Sequence, residues 1–433
     1  MKTLPRPKKI KTQFGVVEYR LSNGLRILYK RDRSAPVVAV CITFHVGSRN
    51  EAPGHTGATH ILEHLLFKDS TKFNKKNGRE ITGYLDWLGA YVNATTWLDR
   101  TNYFEALPKE HLADALELEA DRMRGSLFSD ADLASEMTVV RNEYERSRNN
   151  PFELLEEEVW GKAFTKHPYR IPTIGLKEDI EGSTAAKLRE FYDKYYWPNN
   201  ATLAVFGDVS WAEVEKLVLK YFGPIPSSPH AIPEMTIVEP PQKAARQVSL
   251  KKPFGITVAS LGYKIPQATH KDFPTILVLG MILAGGFSSR LQKRLVDTGV
   301  ASDLSLSLPA LRDPGFMGFT AHLADDVDPK KALVMMQHEI LQIRKTLPKT
   351  DELARAKERL FTQIAYERDG MFIDIRAVSE SIAAGDWTLG YRVEGLIGRV
   401  TPKDIARVAQ TYLVPSQEVR GILENEAEPT QNE

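Results

Sequence analysis

The stretch Gly57-Ala58-Thr59-His60-Ile61-Leu62-Glu63-His64-Leu65-Leu66-Phe67 places two histidines four residues apart in an otherwise apolar run. The apolar residues predict a helix that packs in the protein core. Residues four apart lie on one face of a helix, so His60 and His64 can bind a single Zn²⁺ through their ring nitrogens. Glu63 falls within roughly 100° of arc with them and can act as a base toward a zinc-bound water.

The alternative is a core helix whose histidines are satisfied by ordinary neighbours, as a lone buried histidine usually is. Here three polar residues share one stripe of the helix, and burying them unpaired would cost several kcal/mol. With 10 histidines in 433 residues, a chance His-x-x-Glu-His is on the order of a one-in-a-hundred event per chain. The pattern therefore favours a metal site.

A third protein ligand is needed if water is to keep the fourth position of a catalytic zinc. Glu136 and Glu143 are seven residues apart, two helical turns, and share a face. Val139 and Val140 lie between them, which predicts that this face is buried. We interpret Glu143 as the third ligand and Glu136 as a residue that orients a ligand or holds the helix. Glu145 competes for the ligand role but points to the opposite face, and an ordinary charged surface helix is the alternative for the whole segment.

These residues resemble the pattern of pitrilysin/insulinase-type zinc metallopeptidases, whose His-x-x-Glu-His order is that of the inverted zincins. The likeness is to the half-size subfamily that includes mitochondrial processing peptidase. Residues 47–51, 89–103 and 167–175 also match it. The resemblance implies a zinc metalloendopeptidase with one Zn²⁺ per chain, in which Glu63 activates a zinc-bound water. It implies as substrates peptides or unfolded segments bound in extended form.

The resemblance also implies a substrate-binding strand edge beside the zinc, at Asn93, Ala94 and Thr95. The family uses an arginine and, seven residues later, a tyrosine to hold the substrate backbone. Arg294 fits the arginine, but Ala301 stands at the tyrosine position. We therefore predict a heterodimer whose second half-size homologous subunit supplies an Arg/Tyr pair, with a homodimer as the fallback. A non-catalytic binding or scaffold subunit of the same family is the alternative function.

Composition agrees with a large enzyme and excludes several other classes. The net charge of +1 gives no reason to expect a nucleic-acid partner. The apolar runs at 37–44 and 276–284 are too short to span a membrane. Cys41, the single cysteine, predicts a small core residue and no intramolecular disulfide. No signal peptide is visible. The resemblance favours the periplasm if Met1 follows a removed leader, and the cytoplasm otherwise.

The order of predicted helices and strands recurs in two halves. The predicted strands are a hairpin at 16–31 and strands at 37–46, 91–96, 101–106 and 201–207 in the first half, and strands at 256–262, 301–308 and 316–321 in the second. We place an N-terminal zinc-binding catalytic domain at 1–222 and a linker with six prolines at 223–243. A homologous C-terminal domain that lacks the metal motif follows at 244–433. The predicted fold class is α+β, with two duplicated domains. Each is a mostly antiparallel sheet with helices packed on one face, and the sheet topology is implied by the resemblance.

Overall fold

The computed structural model of the chain describes residues 5–426. Their strands are β1 Lys8–Gln13, β2 Val16–Arg20, β3 Arg26–Arg31, β4 Val37–Phe44, β5 Tyr91–Thr96, β6 Thr101–Pro108, β7 Ala201–Gly207, β8 Arg246–Lys252, β9 Val258–Ile265, β10 Ala301–Ser307, β11 Gly315–Leu323 and β12 Glu418–Asn425. Their α-helices are α1 Ala58–Leu65, α2 Ile81–Trp87, α3 Leu112–Gly125, α4 Asp130–Arg148, α5 Pro151–Ala163, α6 Lys177–Glu181, α7 Ala185–Tyr195, α8 Trp211–Tyr221, α9 Phe273–Ala284, α10 Pro329–Lys345, α11 Thr350–Tyr366, α12 Met371–Ala383, α13 Leu389–Arg399 and α14 Pro402–Tyr412.

The chain divides into two compact units that do not follow the two sequence halves. Among the described residues, the first unit consists of 5–143, Pro172–Thr236 and Glu367–Gly390, and the second of Tyr144–Ile171, Ile237–Tyr366 and 391–426. Each unit therefore includes a segment from the other half of the sequence. The predicted domain boundaries at 1–222, 223–243 and 244–433 describe the repeat in the sequence, and they stay a prediction.

The first unit is built on a seven-stranded sheet in the order β1-β2-β3-β7-β4-β6-β5. Strands β3 and β7 are parallel, and the remaining neighbours are antiparallel. The central strand β4 is an apolar run that is buried along nearly its whole length, because helices cover both of its faces. It contains Cys41, which is fully buried in the core, as predicted. Strand β5 lies at the open edge of the sheet.

The second unit has a five-stranded sheet in the order β10-β11-β9-β12-β8. Its strands repeat the order and directions of β5-β6-β4-β7-β3, including the single parallel pair, here β12 with β8. The first unit differs by the additional hairpin of β1 and β2. This repeat confirms the prediction of two duplicated α+β domains with mostly antiparallel sheets.

One helix in each unit departs from the predicted packing of helices on one face. In the first unit, Asn102 of β6 hydrogen-bonds Ser379 of α12, whereas the next residue, Tyr103, lies under the Arg122 guanidinium of α3. Successive residues of a strand point to opposite faces. Helices α3 and α12 therefore cover opposite faces of the first sheet.

The second unit repeats this arrangement with α5 and α10. Gly421 of β12 abuts Val159 of α5 so closely that a Cβ would clash, whereas Glu418 on the other face accepts a hydrogen bond from Gln337 of α10. Helices α5 and α12 each come from the sequence half that forms the other sheet. Within residues 5–426 we find no helix that is both long enough and apolar enough to cross a membrane.

Candidate metal centre

Three side chains from two helices of the first unit converge on one point. His60 and His64 lie on α1, and their Nε2 atoms are 3.4 Å apart. Glu143 lies on α4, and its Oε2 is 3.5 Å from His60 Nε2 and 3.6 Å from His64 Nε2. Among the described residues these three form the one group of histidine, cysteine or acidic side chains with metal-ligand spacing. Glu145, the competing candidate, is not part of the group.

The triangle has the size that a tetrahedral zinc ion requires. Zinc bonds of about 2.0–2.1 Å to nitrogen and oxygen place neighbouring ligand atoms about 3.3–3.4 Å apart. Two imidazole nitrogens and one carboxylate oxygen also form a typical catalytic donor set, which leaves a fourth position open. Burial, together with the neighbouring His64, lowers the pKa of His60 to about 4. The ring of His60 is therefore neutral at pH 7 and has a lone pair to offer.

Glu136 holds the second histidine. Its Oε2 is 3.0 Å from His64 Nδ1, and its Oε1 is 2.5 Å from Lys68 Nζ. Burial raises the pKa of Glu136, but the hydrogen bonds from Lys68 and His64 outweigh it and the net shift is downward. The carboxylate stays ionised, so His64 Nδ1 is the donor to it, and His64 Nε2 faces Glu143. This contact supports the orienting role predicted for Glu136, which stays a prediction.

The predicted burial of the α4 face is only half right. Val140 is fully buried, but Val139 is exposed. The two valines are about 100° apart around the helix, and only the side shared by Glu136 and Val140 faces the unit. Among the described residues, the buried Nδ1 of His60 has no hydrogen-bond partner, so Glu136 supports one histidine and not the other.

Glu63 lies in the same pocket as the three candidate ligands. The pocket has a volume of about 660 Å³ and is also lined by Lys68 and Asn93. Burial raises the pKa of Glu63, an effect partly opposed by the Thr96 hydroxyl and by the charge of Arg100. A carboxylate with a raised pKa in such a pocket suits proton transfer near neutral pH.

The N-terminus of α1 is held by a carboxylate from outside the helix. Gly57 occupies the N-cap position just before the helix, and it has a positive φ of 85° and no side chain to cap the free amides. Glu51 replaces that cap: it accepts hydrogen bonds from the Gly57 amide, the Thr59 amide and the Thr59 hydroxyl, at 2.8, 2.8 and 2.6 Å. Burial raises the pKa of Glu51 to about 7, against the effect of these hydrogen bonds. Glu51 thus fixes where the helix that carries His60 begins.

The predicted substrate strand lies at the edge of the sheet, with Asn93 lining the pocket. Asn93 Oδ1 accepts the Ala94 amide at 2.8 Å. The Thr95 hydroxyl, by contrast, is already occupied, because it accepts from Arg100 and donates to Asn102. The Thr95 hydroxyl hydrogen is therefore committed to Asn102 and is not free for a substrate.

The two remaining predicted positions lie in the second unit. Arg294 belongs to a short π-helical segment, Gln292–Val296, and lines a pocket of about 470 Å³ together with Arg290, Lys293 and Lys349. Ala301 is the first residue of β10 and is buried. A tyrosine at that position would have to displace core side chains.

Sequence reasoning missed four residues around the site: Glu51, Lys68, Thr96 and Arg100. Lys68 follows His64 by four residues, a spacing that places it one helical turn further along, although α1 ends before it. Glu51 and Arg100 fall inside the stretches 47–51 and 89–103 that matched the family. Their charge in stretches that matched the family was the available signal for both residues.

The comparisons with known proteins agree with this geometry. The family model described as Insulinase (Peptidase family M16) matches residues 26–177, and the model described as Peptidase M16 inactive domain matches residues 183–360. A zinc protease of Helicobacter pylori, PqqE, is 31% identical over 411 residues, which cover 92% of this chain and 90% of that protein. The chain belongs to peptidase family M16.

Further relatives of this M16 protein span nearly its whole length. A probable mitochondrial-processing peptidase subunit beta of Schizosaccharomyces pombe is 27% identical over 431 residues, 91% of this chain and 88% of that one. The crystal structure of a protease from Helicobacter pylori superimposes with a TM-score of 0.89 at 27% identity, covering 97% of this chain and all of that one. The chain is therefore a half-size, pitrilysin-type protein, and its zinc protease relatives support a metallopeptidase-like function.

Proposed function

We propose that this protein is a zinc-dependent endopeptidase that hydrolyses peptides or unfolded segments bound in extended form. The observation that carries the proposal is the triangle of His60, His64 and Glu143, with sides of 3.4–3.6 Å, in one pocket with Glu63. The second half of the chain, which matches the inactive-domain model, has no His-x-x-Glu-His. The chemistry is therefore assigned to the first unit alone.

In the proposed mechanism, His60, His64 and Glu143 hold one Zn²⁺. When bound, the ion polarises the peptide carbonyl and lowers the pKa of the attacking water. Glu63 takes the proton from that water and returns it to the leaving amine. Glu136 keeps the His64 ring in the required tautomer and orientation.

The open edge of β5 supplies the backbone groups for an extended peptide. Trp97 donates to the Arg100 carbonyl across the turn between β5 and β6. Hydrogen-bonded pairs alternate along an antiparallel ladder, so the amides and carbonyls of Val92, Ala94 and Thr96 point away from β6. A peptide that adds a strand here pairs with those groups, and the Asn93 oxygen must first leave the Ala94 amide.

We propose a second, homologous half-size subunit as partner, with a homodimer as the fallback. The support is the missing tyrosine at Ala301 and the relative that is named as a subunit beta. Two other tyrosines of the second unit do not fit the position of the missing one. Tyr263 is buried and donates to Glu418, which commits its hydroxyl, and Tyr366 is 70% exposed at the end of α11. An Arg/Tyr pair from a partner would supply the donors that stabilise the oxyanion.

The experiment that tests the proposal measures hydrolysis of an unstructured fluorogenic peptide by the purified zinc-loaded chain. We expect Glu63→Gln to retain zinc and to lower the rate by about 10²–10⁴-fold. His60→Ala should lose both zinc and activity, and Glu145→Gln on α4 is the matched control that should lose neither. Normal turnover by Glu63→Gln would refute the assigned base.

Three further outcomes separate the alternatives. Activity of the chain alone would count against the need for a partner that supplies a tyrosine. A folded chain that binds one zinc but is silent would point to the missing subunit, and a folded chain that binds no zinc would favour a non-catalytic binding subunit.

A further inference from the structure

Arg100, which lies in the turn between β5 and β6, is bound on both sides of its guanidinium group. Its Nη1 donates to the Thr95 carbonyl at 2.8 Å and to the Thr95 hydroxyl at 2.6 Å. Its Nε and Nη2 donate to Glu380 Oε1 of α12 at 3.1 and 2.5 Å. The Arg100 side chain is 8% exposed. A planar guanidinium used in this way fixes the two groups that it joins at a set distance and orientation.

A second route joins the same two elements through neutral side chains. The Thr95 hydroxyl donates to Asn102 Oδ1 at 2.7 Å. Asn102 Nδ2 donates to the Ser379 hydroxyl at 2.7 Å, and Ser379 shares a hydrogen bond of 2.8 Å with Thr43 of β4. Asn102, Ser379 and Thr43 are all buried. Such satisfied buried networks are rigid, since each broken link leaves an unpaired polar group.

Both routes end at Thr95, the last residue but one of the edge strand. Its side chain lies on the α12 face of the sheet, with Asn102. Edge strands lack a second neighbour and are held less firmly than central ones. The tethers to α12 compensate for that missing neighbour while leaving the outward groups of Val92, Ala94 and Thr96 unobstructed by α12.

We propose that Arg100 and Glu380 are positioning residues that hold β5 in the geometry required for pairing with an extended peptide. The segment 367–390, which carries α12 and comes from the second half of the sequence, is thus a required part of the peptide-binding unit. This inference rests on the proposed peptidase function, because it names what holds the substrate strand of that site. Glu380 is not part of the group of three candidate ligands.

The test uses two conservative variants of the full zinc-loaded chain. Arg100→Lys keeps the charge but loses the two-sided fork, and Glu380→Gln keeps the shape but loses the charge. Asp369→Asn, an exposed carboxylate in the same segment, is the control. We expect KM for the peptide to rise about tenfold in each of the two variants, with kcat within about twofold of wild type. Zinc content should be unchanged.

A double variant distinguishes a shared tether from two independent effects. If Arg100 and Glu380 act through one link, the double variant should be little worse than either single one. Additive effects, or kcat falling while KM stays constant, would overturn the proposal. Unchanged KM in both single variants would overturn it as well.

Hydrogen exchange measured by mass spectrometry separates this inference from the proposed function. Weakening the tether should speed exchange of the β5 amides bonded to β6, those of Asn93 and Thr95, without affecting β4. This readout needs no activity. Wild-type protein that is silent toward peptides would sink the peptidase proposal, whereas unchanged β5 exchange in Arg100→Lys and Glu380→Gln would sink the tether.

Discussion

Helices α1 and α9 occupy equivalent places in the two units and differ in the chemistry of their buried surface. In the first unit α1 follows β4, which lies between β7 and the edge hairpin of β6 and β5. In the second unit α9 follows β9, which lies between β12 and the edge hairpin of β11 and β10. Helix α9 is apolar and buries ten of its twelve residues. Helix α1 carries His60, Glu63 and His64 in a comparable packing position. The fold therefore needs a helix here but does not need polar groups on it.

This difference shows which residues the first unit keeps although they lower its stability. Partly buried imidazole and carboxyl groups destabilise a helix interface unless they are paired. On α1 they meet further partly buried charge, from Glu143 and from the pair of Glu136 and Lys68. The second unit has apolar side chains in place of this stripe, so folding does not require its polar groups.

The comparison between α1 and α9 is tested most strongly by substitutions that remove one side chain from each unit. Glu143→Ala should weaken zinc binding by more than about 100-fold, the upper end of what losing a residue that only orients a ligand costs. It should change the free energy of unfolding of the metal-free protein little. Leu279→Ala on α9, where the side chain is fully buried, should lower that free energy by about 2–5 kcal/mol and leave zinc binding unchanged.

Zinc affinity by competition with a chromophoric chelator and unfolding in urea would measure both effects. The pattern fails if Leu279→Ala impairs zinc binding in the folded protein, or if Glu143→Ala binds zinc as the wild type does. Either result would mean that α1 and α9 are not divided between binding and folding in the way the structure indicates.

A smaller effect is expected from Glu136, which touches His64 but is not one of the three converging groups. Glu136→Ala removes the acceptor of the His64 Nδ1 hydrogen at 3.0 Å and leaves Lys68 without that partner. We expect zinc affinity to fall by about 10–100-fold, with one zinc still bound at saturation. Glu145→Ala on the same helix is the control, and equal losses in both variants would contradict a specific role for Glu136.

The sequence predicts the individual strands and helices of this molecule better than it predicts which of them pack together. Strands β5 and β7 were predicted with the bounds that the structure has, since alternation and flanking turns determine them. The edge strands β1 and β8 were missed because they are largely exposed and charged. The spacing of Glu136 and Glu143 was enough to place both beside α1, although Val139 proved to be exposed.

The positions of α5 and α12, the two helices that pack on the sheet formed by the other half of the sequence, could not be predicted in this way. The apolar residues of α5 and α12 show that one side of each helix is buried, but they do not show which sheet buries it. The partner is set by residues such as Gly421 and Ser379, which are distant in sequence and unremarkable in type. The same holds for Arg100, whose partner Glu380 lies 280 residues away.

The smallest predicted effect concerns a buried charge in the second unit. Glu239 lies in the proline-rich segment and accepts hydrogen bonds from the amides of Thr165, Lys166 and His167, at 2.8–3.1 Å, and from Lys264. Burial raises the pKa of Glu239, but these donors outweigh it and bring the pKa to about 2, below its ordinary value of 4.5. In contrast to the charges on α1, this one is fully satisfied within the protein.

A carboxylate whose pKa is lowered on folding stabilises the folded state above its unfolded pKa, and this contribution disappears as the pH falls toward the folded pKa. For Glu239 the window runs from about 4.5 down to about 2. Glu239→Gln should lower the free energy of unfolding at pH 7 by about 1–2 kcal/mol, since glutamine retains one acceptor oxygen. The difference from wild type should shrink as the pH is lowered through this window. Zinc affinity should not change.

Urea unfolding at several pH values would measure this, with hydrogen exchange at the amides of residues 165–167 as a local probe. Glu234→Gln, an exposed carboxylate of the same segment, should leave both readouts as in wild type. A difference between Glu239→Gln and wild type that stays constant down to low pH would show that charge is not what stabilises this contact. A loss of zinc affinity in Glu239→Gln would contradict the division of roles, because a charge satisfied within the second unit should affect folding alone.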